Sequence, residues 1–233
     1  MEYKIINSIS ELPEFDTELP IFSDIETSGL YTNLRMCQFL QPQTSETIFI
    51  VDIAPTGFDE ETYQIELQQL KDYILHKHTV WYNSSYDLGT MNISPARTDD
   101  LFYAMKSAYP EFQEFGLKKI VKKLRYTQGL YDSTDEDTGS KGFPRGSYVS
   151  RSAYRYAAID VLALSLIWDD KKVQNVIQNN MSYKVDMISQ NYALVYQQNG
   201  LLLDRKAWKI ELVKSKENLE LWKKELPEDL NPN

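Results

Sequence analysis

The sequence predicts an α/β protein in which helices flank a mixed sheet. Three observations carry this expectation. Short β-prone runs bounded by turn residues fill the opening, at 2–6, 19–27, 34–40 and 47–52. One later run, Thr79 to Tyr82, lies between two helical stretches, and beyond it the patterning is helical. Strands followed by helices, with a late strand among them, indicate an α/β layer with a mixed sheet.

A chain of 233 residues can bury one full core and leave room for a small appendage. Its 42% hydrophobic and 25% charged residues are ordinary globular usage, which argues against wholesale disorder. No run approaches the roughly 18 apolar residues of a membrane helix, so no membrane partner is expected. Met1-Glu2-Tyr3-Lys4 lacks the basic and apolar regions of a signal peptide, and a cytoplasmic location is the expectation. The single cysteine, Cys37, permits neither an internal disulfide nor a thiolate zinc cage, and reads as a buried inert thiol. A net charge of -9 argues against broad nonspecific adhesion to nucleic acid. It leaves room for a nucleic-acid enzyme, because a carboxylate-rich metal site is negative until its ions bind.

Taken in order, Glu2 to Ile6 forms a leading strand and Ser8 to Pro20 a loop with a helical turn. The run Leu19 to Phe22 leads into Asp24-Ile25-Glu26-Thr27, and Ser28-Gly29 marks a turn. Two more strands, Leu34 to Leu40 and Thr47 to Asp52, complete a three-stranded opening. Asp59 caps a helix over 59–76, in which Tyr63, Leu67, Leu70 and Ile74 recur at helical spacing. After the strand Thr79 to Tyr82, a helix begins near Ser84 or Ser85 and runs toward Ile93. Pro95 separates it from a helix over Thr98 to Ala108, and Leu117 to Leu124 gives another. Arg125 to Gly146 reads as a long loop, Tyr148 to about Gln178 as one long helical run, and 182–198 as a further helix. Asn199-Gly200 stops it, and Asp204 caps a Lys- and Glu-rich helix that ends at Pro227.

Candidate chemistry begins at Asp24 and Glu26. On a strand, Phe22, Asp24 and Glu26 share one face while Ile21, Ser23 and Ile25 share the other. The two carboxylates are then roughly 6.6 Å apart at their Cβ atoms and can bracket a cation, although a solvated strand end shows the same pattern. Asn83-Ser84-Ser85-Tyr86-Asp87 follows the late strand, so Asp87 falls in the first turn of a helix, where it also suits the dipole of an ordinary helix start. Tyr156 and Asp160 lie four apart on one helical face, in a stretch apolar nearly all round. A lone carboxylate there is costly unless it is metal-bound, or paired, with Arg155 as the nearest cation in sequence.

Together, Asp24/Glu26, the Asn83 to Asp87 segment and Tyr156/Asp160 resemble the three motifs of the DEDD superfamily of exonucleases, tyrosine branch. The sister branch carries a histidine five residues before its last Asp, and here that position is Arg155. Helix, strand and helix after a three-strand opening is the ribonuclease H-like order of that superfamily. Arg155-Tyr156-Ala157-Ala158-Ile159-Asp160 and the Asp24 to Leu30 segment are similar to the proofreading domain of family A DNA polymerases, the Klenow type. Asn199 to Asp204, the charged helix after it, and Asn231-Pro232-Asn233 look like the passage from exonuclease to thumb. The resemblance therefore implies an exonuclease domain over 1–180 and a helical connection over 181–233, cut from or evolved beside a larger polymerase. A start at the first nuclease strand is similar to compact phage polymerases.

What the resemblance implies is hydrolysis from the 3′ end with two divalent cations, Mg or Mn, held by oxygen ligands. It makes Asp24 the shared ligand, Glu26 and Asp160 the rest of the first metal site, and Asp87 a support of the second. It gives Tyr156 the attacking water to orient, and Thr27, Leu30 and Asn83 contacts to the strand, although each of those three also suits a turn, core or cap role. The expected partners are single-stranded DNA or frayed 3′ ends and the remaining polymerase domains. A ribonuclease D-like enzyme acting on RNA, and a non-catalytic nucleic-acid-binding module on the same fold, are the rival readings.

Overall fold

The structure, a computed structural model, describes residues 1–29, 33–124, 127, 129–131, 143–200 and 204–225. The chain divides into two compact units, Met1–Gln198 and Asn199–Asn233. The first holds a six-stranded sheet: β1 (Glu2–Ile6), β2 (Ile21–Thr27), β3 (Leu34–Gln41), β4 (Ser45–Asp52), β5 (Thr79–Trp81) and β6 (Thr98–Asp100). Its spatial order is β1-β4-β3-β2-β5-β6. The three strands β2, β3 and β4 are antiparallel neighbours, β1 joins β4 in parallel, and β5 and β6 extend the sheet from β2 in parallel. The helices are α1 (Glu60–Leu75), α2 (Ser84–Met91), α3 (Leu101–Ala108), α4 (Leu117–Lys123), α5 (Arg151–Trp168), α6 (Lys171–Asn179) and α7 (Met181–Asn199). The second unit contains α8 (Arg205–Glu225).

Strand alternation divides the core into two layers. Ile21 and Ile25 of β2 join Cys37, Phe39 and Val51 beneath α1 and α2, with Tyr63, Leu70, Ile74 and Leu88 packed on them. Phe22 of β2 joins Met36, Leu40, Ile48 and Ile50 on the opposite face, covered by α3, α5 and α6 through residues such as Leu101, Ala157, Val161 and Val173. Helix α5 crosses β2, β3 and β4. Cys37 is a buried free thiol whose pKa burial raises, as expected of an inert cysteine.

Several boundaries differ from the sequence reading. Thr98–Asp100 is a strand, and only Leu101–Ala108 is helical. Asp100 ends β6 and caps α3, its carboxylate accepting the Phe102 amide at 2.9 Å, so strand and helix meet without a linker. The long run after residue 148 begins at Arg151 and breaks after Trp168, where Asp170 caps a new helix by accepting from Lys172 and Val173. The late strand ends at Trp81, one residue early, because pairing stops where the chain turns into α2.

A buried ion pair fastens α5 and its approach to the sheet. Arg35 on β3 and Asp52 on β4 are 1% and 0% exposed and pair at 2.7 Å. Arg35 also donates to the carbonyls of Pro144 and Ser147 at 2.7 and 3.2 Å, and the Tyr154 hydroxyl of α5 donates to Asp52 at 2.9 Å. Phe143 and Gly146 donate backbone hydrogen bonds to Thr27 and Ala54. The chain entering α5 is thus tied to the strands on either side of it.

Candidate active site

The end of β2 is where the sheet changes direction of pairing. Asp24 and Glu26 lie opposite Gln38 and Met36 of antiparallel β3, whereas parallel β5 pairs only with Ile21 and Phe22 before it leaves for α2. A crevice opens there, at the carboxyl ends of two parallel strands. Within the sheet-facing surface of β2 only Asp24 and Glu26 are half-exposed. Asp160 reaches the same point from α5, 6% exposed. One carboxylate oxygen from each of Asp24, Glu26 and Asp160 lies within 4.8 Å of the others. Asp87, in the first turn of α2, is 3% exposed and close enough to act electrostatically on Asp24 and Glu26.

Charge at this density resists ionisation. Burial raises Asp24 well above the usual carboxylate range, and Asp87, Asp160 and Glu26 raise it further. Glu26 is raised by burial, then by Asp160 and Asp87, with Lys118 opposing. Asp87 is raised chiefly by burial, while its own amide and that of Ile25 favour its anion. A divalent cation removes the conflict, and the donor set, all carboxylate oxygen, suits a hard ion. Gln38, across from Asp24 and 0% exposed, finds no partner for either side-chain amide atom among the described residues. Cross-strand partners share a face, so this unpaired amide belongs to the face that bears the carboxylates. These features fit a metal centre.

Tyr156 shares a cleft of about 370 Å³ with Asp24, Asp160, Tyr82 and Gly116 to Lys119 at the start of α4. Burial, followed by Asp160, Glu26 and Asp24, raises its phenol far above the ordinary value, so it stays protonated and available as a donor. Two residues that the motifs do not contain complete this surface. Lys118 places its ammonium 4.5 Å from the centre of the Tyr156 ring and 5.9 Å from that of Tyr131. The Tyr131 hydroxyl donates to Asp160. Lys118 begins an amphipathic helix among other lysines, and Tyr131 belongs to a polar stretch, so neither carries a local signal of its place.

The other expected contacts are placed as follows. Thr27 is 8% exposed, and its hydroxyl donates to the Gly29 carbonyl at 2.7 Å and meets the Tyr86 hydroxyl at 2.9 Å. Asn83 has left-handed backbone angles (φ 63°, ψ 50°) and makes no side-chain cap. The capping group of α2 is instead Asp100, which accepts the amides of Asn83 and Ser84 at 2.9 and 2.8 Å and the Ser84 hydroxyl at 3.1 Å. Gln190 of α7 donates to the same carboxylate at 3.1 Å. Leu30 lies outside the described residues.

No family model matches the chain, and no curated protein is significantly similar in sequence. Among solved structures, Trypanosoma brucei RNase D is similar with a TM-score of 0.55 at 14% identity, covering 85% of this chain and 72% of that one. The chain has a ribonuclease H-like fold. Brucella melitensis NrnC bound to pGG is similar with a TM-score of 0.54 at 19% identity, over 85% of this chain and 91% of that one. The same protein with bound Mg2+ gives 0.53 at 16% identity with the same coverage. The mixed sheet and flanking helices of this chain are those expected from the sequence.

Proposed function

We propose that this protein is a metal-dependent 3′-to-5′ exonuclease that removes nucleoside monophosphates from single-stranded DNA or frayed 3′ ends. The observation that carries the reading is the convergence of Asp24, Glu26 and Asp160 beside Tyr156, with Asp87 near enough to act electrostatically on Asp24 and Glu26. Asp24, Glu26 and Asp160 would hold one divalent cation, Mg or Mn, and Asp24 with Asp87 a second. When bound, such ions supply Lewis-acid polarisation of a phosphodiester and a water of lowered pKa.

The chain's own residues then have separable tasks. Tyr156, held protonated, orients the attacking water by hydrogen bond and is too weak an acid to serve as its base at neutral pH. Tyr131 fixes one Asp160 oxygen and so orients that carboxylate beside Asp24 and Glu26. Lys118, at the mouth of the carboxylate cluster, offers a cation to the phosphate that enters between them. Thr27, Leu30 and Asn83 remain proposed contacts to the strand.

The polymerase-proofreading context, with a DNA substrate, is supported by the Arg155 to Asp160 and Asp24 to Leu30 likeness. It also suits the division into an exonuclease domain over 1–180 and a connecting segment over 181–233. In α8, Trp208, Leu212, Leu219 and Trp222 recur on one helical face, as in a helix that packs against further protein. A ribonuclease D-like reading, with RNA as substrate, is favoured by the fold of the solved structures. End-labelled DNA and RNA oligonucleotides incubated with the protein in Mg or in excess EDTA test both. Stepwise shortening from the 3′ end, in Mg alone, is the expected result, and the faster polymer identifies the substrate. Undiminished cleavage in EDTA, or release from the 5′ end, would reject the reading.

A further inference from the structure

The first unit has a second and larger cavity, about 610 Å³, whose walls include Tyr3 of β1, Leu130, and Arg151, Arg155, Ile159 and Leu162 of α5. The spacing of those four helical residues puts them on one face. Arg155 and Ile159 each precede by one residue Tyr156 and Asp160 of the carboxylate cleft, so the two cavities occupy faces of α5 turned by about 100°. Leu130 lines the larger cavity while the next residue, Tyr131, bonds to Asp160. On α5, therefore, a single residue step divides one cavity from the other.

The chemistry of the larger cavity is opposite to that of the site. Arg151 opens α5, and the first turn has no acidic residue. A cation at the positive end of a helix is unfavourable for the helix alone and strengthens the attraction for an anion. Arg155 lies one turn on, and Ile159, Leu162 and Leu130 add apolar surface beside the guanidinium groups. Paired guanidinium forks next to apolar walls suit a phosphate-sugar strand, with phosphates on the arginines and sugar or base faces on the apolar side chains. The carboxylate cleft is at the small end of ligand-site volumes. A strand whose terminal nucleotide fills it must continue elsewhere.

We infer that the Arg151/Arg155 groove binds the single strand on the 5′ side of the scissile phosphate, one phosphate on each arginine. The inference rests on the exonuclease reading, and its test separates the two. Anisotropy of labelled 12-mers of dT and of U, measured across salt concentrations in EDTA with the full chain, reports strand binding without hydrolysis. Each phosphate contact contributes about 0.7 to the slope of log K against log salt on single strands, so R151Q/R155Q should lower the slope by about 1.4 for the polymer the groove accepts. R151K/R155K, which keeps both charges, should retain most of it. The ratio of kcat/KM for a 12-mer to that for a dinucleotide should also fall at least tenfold in R151Q/R155Q. If that variant melts below the assay temperature, R151Q alone should lower the slope by about 0.7. Unchanged slope and affinity in a folded variant that still shortens oligonucleotides would overturn the groove and leave the nuclease standing. A reduced slope in a protein that hydrolyses neither polymer would retain the groove as a strand-binding surface and reject the nuclease.

Discussion

Asp24 makes the conflict between stability and chemistry measurable. Its pKa, with those of Glu26 and Asp87, is raised in the folded state by burial and mutual repulsion. A raised native pKa means that the folded chain keeps protons the unfolded chain has released. The contribution of these carboxylates to metal-free stability should therefore be fully present below the ordinary carboxylate range and be lost as pH rises from about 4 through the raised values. Thermal melts in EDTA across pH would show this, and saturating Mg should flatten the decline. Asp24→Asn should abolish hydrolysis and raise the metal-free melting temperature at pH 7, each kcal/mol of relieved repulsion appearing as about 2–4 °C. A lower melting temperature would instead make Asp24 structural. Tyr156→Phe should retain metal affinity by titration while slowing hydrolysis roughly 10²- to 10⁴-fold. Asp24, Glu26, Asp87, Asp160 and Tyr156 are legible in the sequence as candidates, through the resemblance of their combined motifs and not through any one of them. Lys118, Tyr131 and Gln38 are not, since their roles depend on which distant element faces them.

Among the elements, α2 depends most on a residue outside itself. Asp100 takes two backbone amides at its start and one at the start of α3, so a single carboxylate sets the positions of Asp87 and of the helix beside it. Asp100→Ala leaves those buried amides unpaired and should cost about 1–3 kcal/mol for each that finds no water, read as a lower denaturant midpoint with unchanged m. Activity should fall as well, because Asp87 loses its reference point. The sequence shows Asp100 only as one of two adjacent acids inside a helical pattern. A three-residue strand has too few positions to display alternation, which is why β6 merges with α3 in a sequence reading. The break between α5 and α6 is hidden similarly, because Asp169 and Asp170 continue a helical pattern although Asp170 starts a new helix. The Arg35–Asp52 pair is illegible for another reason, its partners being 17 residues apart on two strands. Arg35→Ala should cost about 3–5 kcal/mol by leaving Asp52 buried and unpaired, which equilibrium unfolding would measure.

Over the whole molecule, a net charge of -9 governs how substrate is reached. Duplex DNA must give up stacking at roughly 1.4 kcal/mol per step to present a single end, and an acidic protein has little general attraction to offset that. Single strands should be shortened faster than matched duplex, mismatched ends should fall between them, and the gap should narrow as temperature approaches duplex melting. Equal rates on single strand and blunt duplex at low temperature would show that the ends are opened by the protein itself. The α/β layering is legible because strand and helix periods differ, and the motif resemblance adds the ribonuclease H-like order. The position of β1 beside β4 is not, because pairing between strands separated by two others leaves no trace in either. Strand β2 carries hydrophobic contacts to one layer on Ile21 and Ile25 and the carboxylates to the other on Asp24 and Glu26. A codon inserted or deleted between Ile21 and Asp24 would exchange those faces, driving two acids under α1 and an isoleucine into the cleft. Point substitutions can separate catalysis from folding in this strand, but a frame-preserving insertion or deletion cannot. In related genes β2 should therefore tolerate replacement and resist any change of length.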